Sequence, residues 1–124
     1  MFSNDLATHL FNEDIGLSSG VNLFEGRMPT TPITCVTILE TGGIEPDKYV
    51  PFKSPTFQVL IRSTDYPTGK ALLNNVRSAF HGLANQTVGN TFFQWVWAIS
   101  EGGHIGQDDA GNELFSINFQ CRTR

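Results

Sequence analysis

The chain has 124 residues, a net charge of −4 and a pI near 5.2. Hydrophobic residues make up 40% of it, enough for one core in a single domain spanning 1–124 and too few residues for a second. Charged residues are only 16% against a usual ~25%; this fits a surface that meets other subunits, and the acidic balance opposes binding to nucleic acid through its phosphates.

Residues 3–12 read as a short helix, with Ser3, Asn4 and Asp5 as N-cap candidates and Leu6, Leu10 and Phe11 on one face. A strand is expected between Gly20 and Met28, ended by 28-MPTTP-32. Ile33–Leu39 is a stronger strand, rich in Ile, Val and Thr, and apolar on both sides, so both of its faces are expected to be covered. The segment 42-GGIEPDKYVPFKSP-55 carries three prolines and two glycines and reads as a long loop without a ladder. Thr56–Arg62 resumes as a strand, with Phe57, Val59 and Ile61 on one side.

The main helix is expected from Tyr66 to Leu83. Asp65 is the N-cap, Pro67 is tolerated in the first turn, and Gly82 lies near the end. Leu72, Val76, Ala79, Phe80 and Leu83 follow helical spacing. Phe92–Ser100 and Leu114–Arg122 then read as a terminal hairpin joined by the polar loop 101-EGGHIGQDDAGNE-113. The order is α-β-β-β-α-β-β. It predicts an α+β fold with a mostly antiparallel sheet of about five strands and two helices. Its core is expected to gather Leu72, Val76, Phe80, Val59, Ile61, Ile117 and Phe119.

Chemistry-bearing patterns are sparse. The chain has no P-loop, no G-x-G-x-x-G and no G-x-S-x-G. His9, His81 and His104 lack metal-ligand spacing. The oxygens of Asp108, Asp109, Asn112 and Glu113 are dense enough to hold calcium, but they lack the alternate acidic positions of an EF-hand loop, and a tight turn is the simpler reading. Cys35 and Cys121 form neither a zinc pattern nor a disulfide framework and read as reduced, buried residues. The aromatic run 92-FFQWVWAI-99 resembles a base-stacking surface, yet lacks the interleaved Lys and Arg of one. No catalytic residue, metal or cofactor is expected. With no apolar run near the ~18 residues of a membrane span, and no basic-then-apolar leader in MFSNDLATHL, no membrane is expected either.

Three stretches, in this order, carry a resemblance: 23-LFEGRMPTTPITCVTILETGG-43, 56-TFQVLIRSTDYPTGKALLNNVRSAFHGL-83, and the terminal hairpin. Together they resemble the tail terminator (minor capsid, tail-completion) proteins of long-tailed bacteriophages. The resemblance implies a homo-oligomeric ring, a hexamer, at the head-proximal end of the tail, assembled in the host bacterial cytoplasm. Such a ring caps the tail tube, stops its polymerisation and joins the head-tail connector or stopper protein, without catalysis. DNA would pass through its acidic lumen without specific binding. The alternatives are another neck component, such as a head-completion or stopper protein, and, from other classes, a soluble small-ligand binding module or an enzyme.

Two contact surfaces follow from this reading. In the 42–55 loop, Tyr49 and Phe52 are the anchors and Lys48 and Lys53 the charges expected to meet the tail tube or a neighbouring subunit. In the terminal hairpin, some of Phe93, Trp95 and Trp97 are expected to be exposed as an association patch. The loop 102–112 would then carry Asp108, Asp109 and Glu113 toward Arg62, Lys70 or Arg77 of a partner.

Overall fold

Asp65 begins the main helix as its sequence position predicts. Its carboxylate accepts the Thr68 backbone N–H at 3.2 Å and the Thr68 hydroxyl at 3.0 Å, satisfying donors that the first helical turn leaves free. The computed structural model describes residues 2–13, 16–44 and 52–124. In chain order these form α1 (Phe2–Asn12), β1 (Leu23–Glu25), β2 (Cys35–Ile44), β3 (Ser54–Ser63), α2 (Tyr66–Phe80), β4 (Ala84–Val88), β5 (Thr91–Ala98), β6 (Gly103–Gln107) and β7 (Glu113–Thr123). The strands make one sheet in the order β1-β2-β3-β7-β5-β4, with β6 also against β7. Every pairing is antiparallel except β1 with β2. The fold is α+β, with seven strands where five are expected.

The sheet alternates as its composition demands. On one face Phe57 lies opposite Phe119, Val59 opposite Ile117 and Ile61 opposite Phe115, all fully buried. Both helices lie on this face. Leu73, Val76 and Phe80 of α2 and Leu6, Ala7 and Leu10 of α1 join the same core, and the His9 ring bonds the Ala79 carbonyl at 2.8 Å across the two helices. Each buried Phe or Leu contributes roughly 1.5–3 kcal/mol by leaving water. The rings of Phe57, Phe80 and Phe119 meet at 5.0–5.4 Å, two pairs edge-on and one stacked, separations at which aromatic pairs add to that gain.

Several expectations are corrected. Leu73, not Leu72, fills the core from α2; Leu72 sits at its margin. The inner stripe is Gly69, Leu73, Val76 and Phe80, and Gly69 is needed because a Cβ there would lie 2.2 Å from the buried Phe115 ring. Helix α1 starts at Phe2, so Asp5 is inside it and its buried carboxylate accepts the Thr91 hydroxyl instead of capping. The ladder runs into the proline-rich segment: Gly43 opposes Pro55 and Ile44 opposes Ser54, past a register shift after Glu40. Gly43 allows this close approach, since a Cβ there would be 2.4 Å from the Ser54 carbonyl oxygen.

Of the two additional strands, β4 lies between the expected helix and hairpin, where no element is expected, and β6 lies in the expected loop 101–113. Val88-Gly89-Asn90-Thr91 is a two-residue hairpin turn between β4 and β5, and Gly-Asn is a turn signal of that kind. Strand β6 occupies five of the thirteen residues of the expected loop 101–113 and is interrupted by a shift between His104 and Gly106.

No helix among the described residues covers the opposite face of the sheet. At one corner of it, Arg62 reaches across from β3 and donates to the carbonyls of Ile33 at 2.7 Å and Pro32 at 2.9 Å, and to those of Pro29 and Thr30. One side chain thus holds the 29–33 segment beside Cys35, at the second face of β2.

Candidate functional site

Strand β5 carries the aromatic run, and its register against β7 decides what that run presents. Phe93 opposes Thr123, but Trp95 opposes Arg122, so two residues of β5 span one step of β7. This bulge turns Phe93 and Trp95 to opposite faces. Phe93 is fully buried in the core, whereas Trp95 and Trp97 stand on the uncovered face, Trp97 half exposed. Simple alternation places Phe93, Trp95 and Trp97 together; an extra residue in the ladder cannot be read from the alternation itself.

On that face β7 brings arginines beside the aromatics. Arg122 is the cross-strand partner of Trp95, and Arg124 and Phe92 exchange backbone hydrogen bonds at 2.9 and 3.4 Å. The Arg122 guanidinium lies 4.9 Å from the Phe52 ring centre, and that of Arg124 lies 5.9 Å from Phe52 and 5.6 Å from Phe92. These distances fall within the range of cation–π attraction. Trp95 and Trp97 are 6.3 Å apart, and His81 meets Trp97 edge-on at 5.3 Å. The His81 ring is itself fixed, because its Nδ1 accepts the Ala98 N–H at 3.0 Å. The result is a continuous patch of Phe52, Phe92, Trp95 and Trp97 with two arginines. Arg122 and Arg124 are the members that sequence reading missed, since the only signal for them is a pairing between strands distant in sequence.

The other expected contact residues disperse. Lys48 and Tyr49 lie outside the described residues. Lys53 pairs with Thr123 and lines a polar cleft of about 630 Å³ with Asp5, Glu40 and Asn90. Asp108 organises the turn before β7. Its carboxylate accepts the N–H groups of Ala110 at 3.0 Å and Asn112 at 2.9 Å, and the Asn112 side-chain amide at 3.1 Å. The backbone bond from Asn112 is the main reason its carboxyl sits below the ordinary value of 3.8. Asp109 is exposed beside it.

Glu113 is taken within the chain, bonding Gln107 at 2.7 Å and His104. Arg62 is committed to carbonyls, and Arg77 approaches Glu101 at 3.8 Å. Glu113, Arg62 and Arg77, expected to meet across subunits, thus each have contacts inside one chain. Both cysteines are free and buried. Burial alone pushes the Cys121 thiol up to about 12, which makes it a packing residue instead of a nucleophile. Among the described residues no three His, Cys, Asp or Glu side chains converge as metal ligands.

Residues 9–124 match the family described as bacteriophage tail terminator protein. The chain belongs to that family. It is a structural protein of the phage tail, in agreement with the resemblance carried by its three motif stretches. No curated protein matches the sequence. Among solved structures, a chain from the virion of a native gene transfer agent particle is similar, with a TM-score of 0.70 and 16% identity, over 98% of this chain and 96% of that one. A second solved chain is 12% identical at a TM-score of 0.53, with the same coverage. At these identities the two likenesses speak for the fold alone.

Proposed function

We propose that this tail terminator forms a ring, a hexamer, that caps the tail tube, ends its polymerisation and then joins the head connector. The observation that carries the reading is the one-sided sheet. Its second face has no helix of this chain over it among the described residues, and it presents Phe52, Trp95 and Trp97. Aromatic side chains with arginine at the centre of a patch are the composition of association hot spots. The low charge of the chain points the same way. Six copies of a chain with net charge −4 would line a lumen that repels phosphate and lets DNA pass. The similar chain within a gene transfer agent virion supports a place in a phage-like particle.

The test adds the purified chain to polymerising tail-tube protein and follows tube length by electron microscopy, with the assembly mass measured by light scattering. Tubes capped at one end by a six-fold ring are expected. A ring that leaves tube growth unchanged but binds the connector would make the chain a stopper or head-completion protein. A monomer without effect on either would overturn the reading.

A further inference from the structure

The aromatic patch and the acidic turn lie at opposite ends of one strand. Arg122 and Arg124 are at the end of β7, and Asp108 and Asp109 are in the turn just before its start at Glu113. Nine residues at about 3.3 Å each separate them by about 30 Å, so the two cannot meet within one chain. They are complementary. The patch offers half-buried and exposed rings with two cations. The hairpin 101–113 offers Glu101, Asp108 and Asp109 as carboxylates, and Ile105, 58% exposed, as an apolar contact.

We propose that the Phe52–Phe92–Trp95–Trp97 patch receives the 101–113 hairpin of a second copy of this chain, with Ile105 against the rings and Asp108 and Asp109 against Arg122 and Arg124. This rests on the ring reading and names the contact that closes the ring. A contact between two different surfaces repeats head to tail, and it closes into a ring when the rotation per subunit divides the circle. The charges set register and orientation, while the apolar contact supplies most of the affinity. Duplex DNA is the weaker occupant, because its bases are stacked inside and cannot use four aromatic rings, and the chain as a whole is acidic.

The test uses charge reversal on the full-length chain at two exposed positions, Asp109→Lys and Arg124→Glu, with folding followed by circular dichroism. At low salt each single variant is expected to raise the concentration for half-assembly roughly ten-fold. An equimolar mixture of the two variants is expected to restore assembly, since each tip then meets a patch of opposite sign. Failure of the mixture to restore assembly, or single variants that assemble like the parent, would overturn the contact while leaving the ring reading in place. A parent chain that stays monomeric at every concentration would overturn the ring reading itself.

Should a reversal variant fail to fold, the double variant Asp109→Cys with Arg124→Cys provides the readout. Oxidation by copper phenanthroline is expected to give an intermolecular disulfide ladder up to the ring size. A ladder that stops at the dimer would support the contact and overturn the ring, and no ladder would overturn the contact. An Arg124→Glu protein that assembles normally but loses retention of duplex DNA on a native gel would assign the patch to nucleic acid and overturn the proposal.

Discussion

Phe80 sits where three buried rings meet, and it shows what one side chain contributes to this fold. It touches Phe57 and Phe119 edge-on and His9 from the other helix, so it joins the two helices to the centre of the sheet. Phe80→Ala should destabilise the chain by about 3–5 kcal/mol, the cost of removing a large ring from a packed core. A urea melt showing a loss below about 1 kcal/mol would contradict this packing. Asp108 acts at the same scale through charge. Its hydrogen bonds favour the carboxylate, so its carboxyl titrates below 3.8 in the folded chain. The sign follows from linkage: the ordering of the turn is present above that value and lost as pH falls through the lower, folded one. Carboxyl chemical shifts followed by NMR should place the Asp108 midpoint below that of an unfolded reference peptide. A midpoint at or above it would show that the turn does not use the charge.

Among the elements, the 29–33 segment depends on a strand residue distant in sequence. Four carbonyls converge on the Arg62 guanidinium, and hydrogen bonds to a charged donor are the stronger kind. Arg62→Met keeps the aliphatic stem and removes the donors. It should cost about 1–3 kcal/mol and speed amide exchange through residues 30–34. Cys35 is buried beside this segment, so opening of the segment should also expose its thiol to a labelling reagent. Unchanged exchange and labelling would show that other contacts hold the segment. At the far end of the sheet, the bulge in β5 decides the outer surface. Without it Phe93 would share a face with Trp95, and either the core would lose a ring or the patch would gain one.

At the scale of the molecule, the described residues form a sheet with helices on one side only. Seven strands with both helices on one layer leave the second layer without a helix among the described residues, and that side carries Trp97, 50% exposed. Trp97→Asp should therefore fold normally, because the side chain is outside the core, yet yield monomers, because a carboxylate cannot be buried against the partner without compensation. Circular dichroism alongside light scattering checks both halves. An unfolded variant would place Trp97 in the core, and an intact ring would take it out of the interface.

The division between sequence and tertiary structure follows from the range of the interactions involved. Short-range signals were legible. Asp65 and Pro67 mark the start of α2, the period-two alternation of Phe57–Ile61 and Phe115–Cys121 marks two strands and their inward faces, and three motif stretches carry the family. Each depends on residues within a few positions of one another. The strand Ala84–Val88 was hidden because Asn, Gln and Thr dominate it and only its Gly-Asn turn announces it. The choice of Leu73 over Leu72, the opposite facing of Phe93 and Trp95, and the meeting of Arg122 with Phe52 are set by registers between distant strands. A one-residue shift in such a register exchanges the two faces of a strand, and no local pattern records it. The aromatic run 92–99 therefore looked incomplete in the sequence, without a cation near it. The pairing of β5 with β7 supplied the arginines, because antiparallel neighbours bring residues some thirty positions apart onto one face.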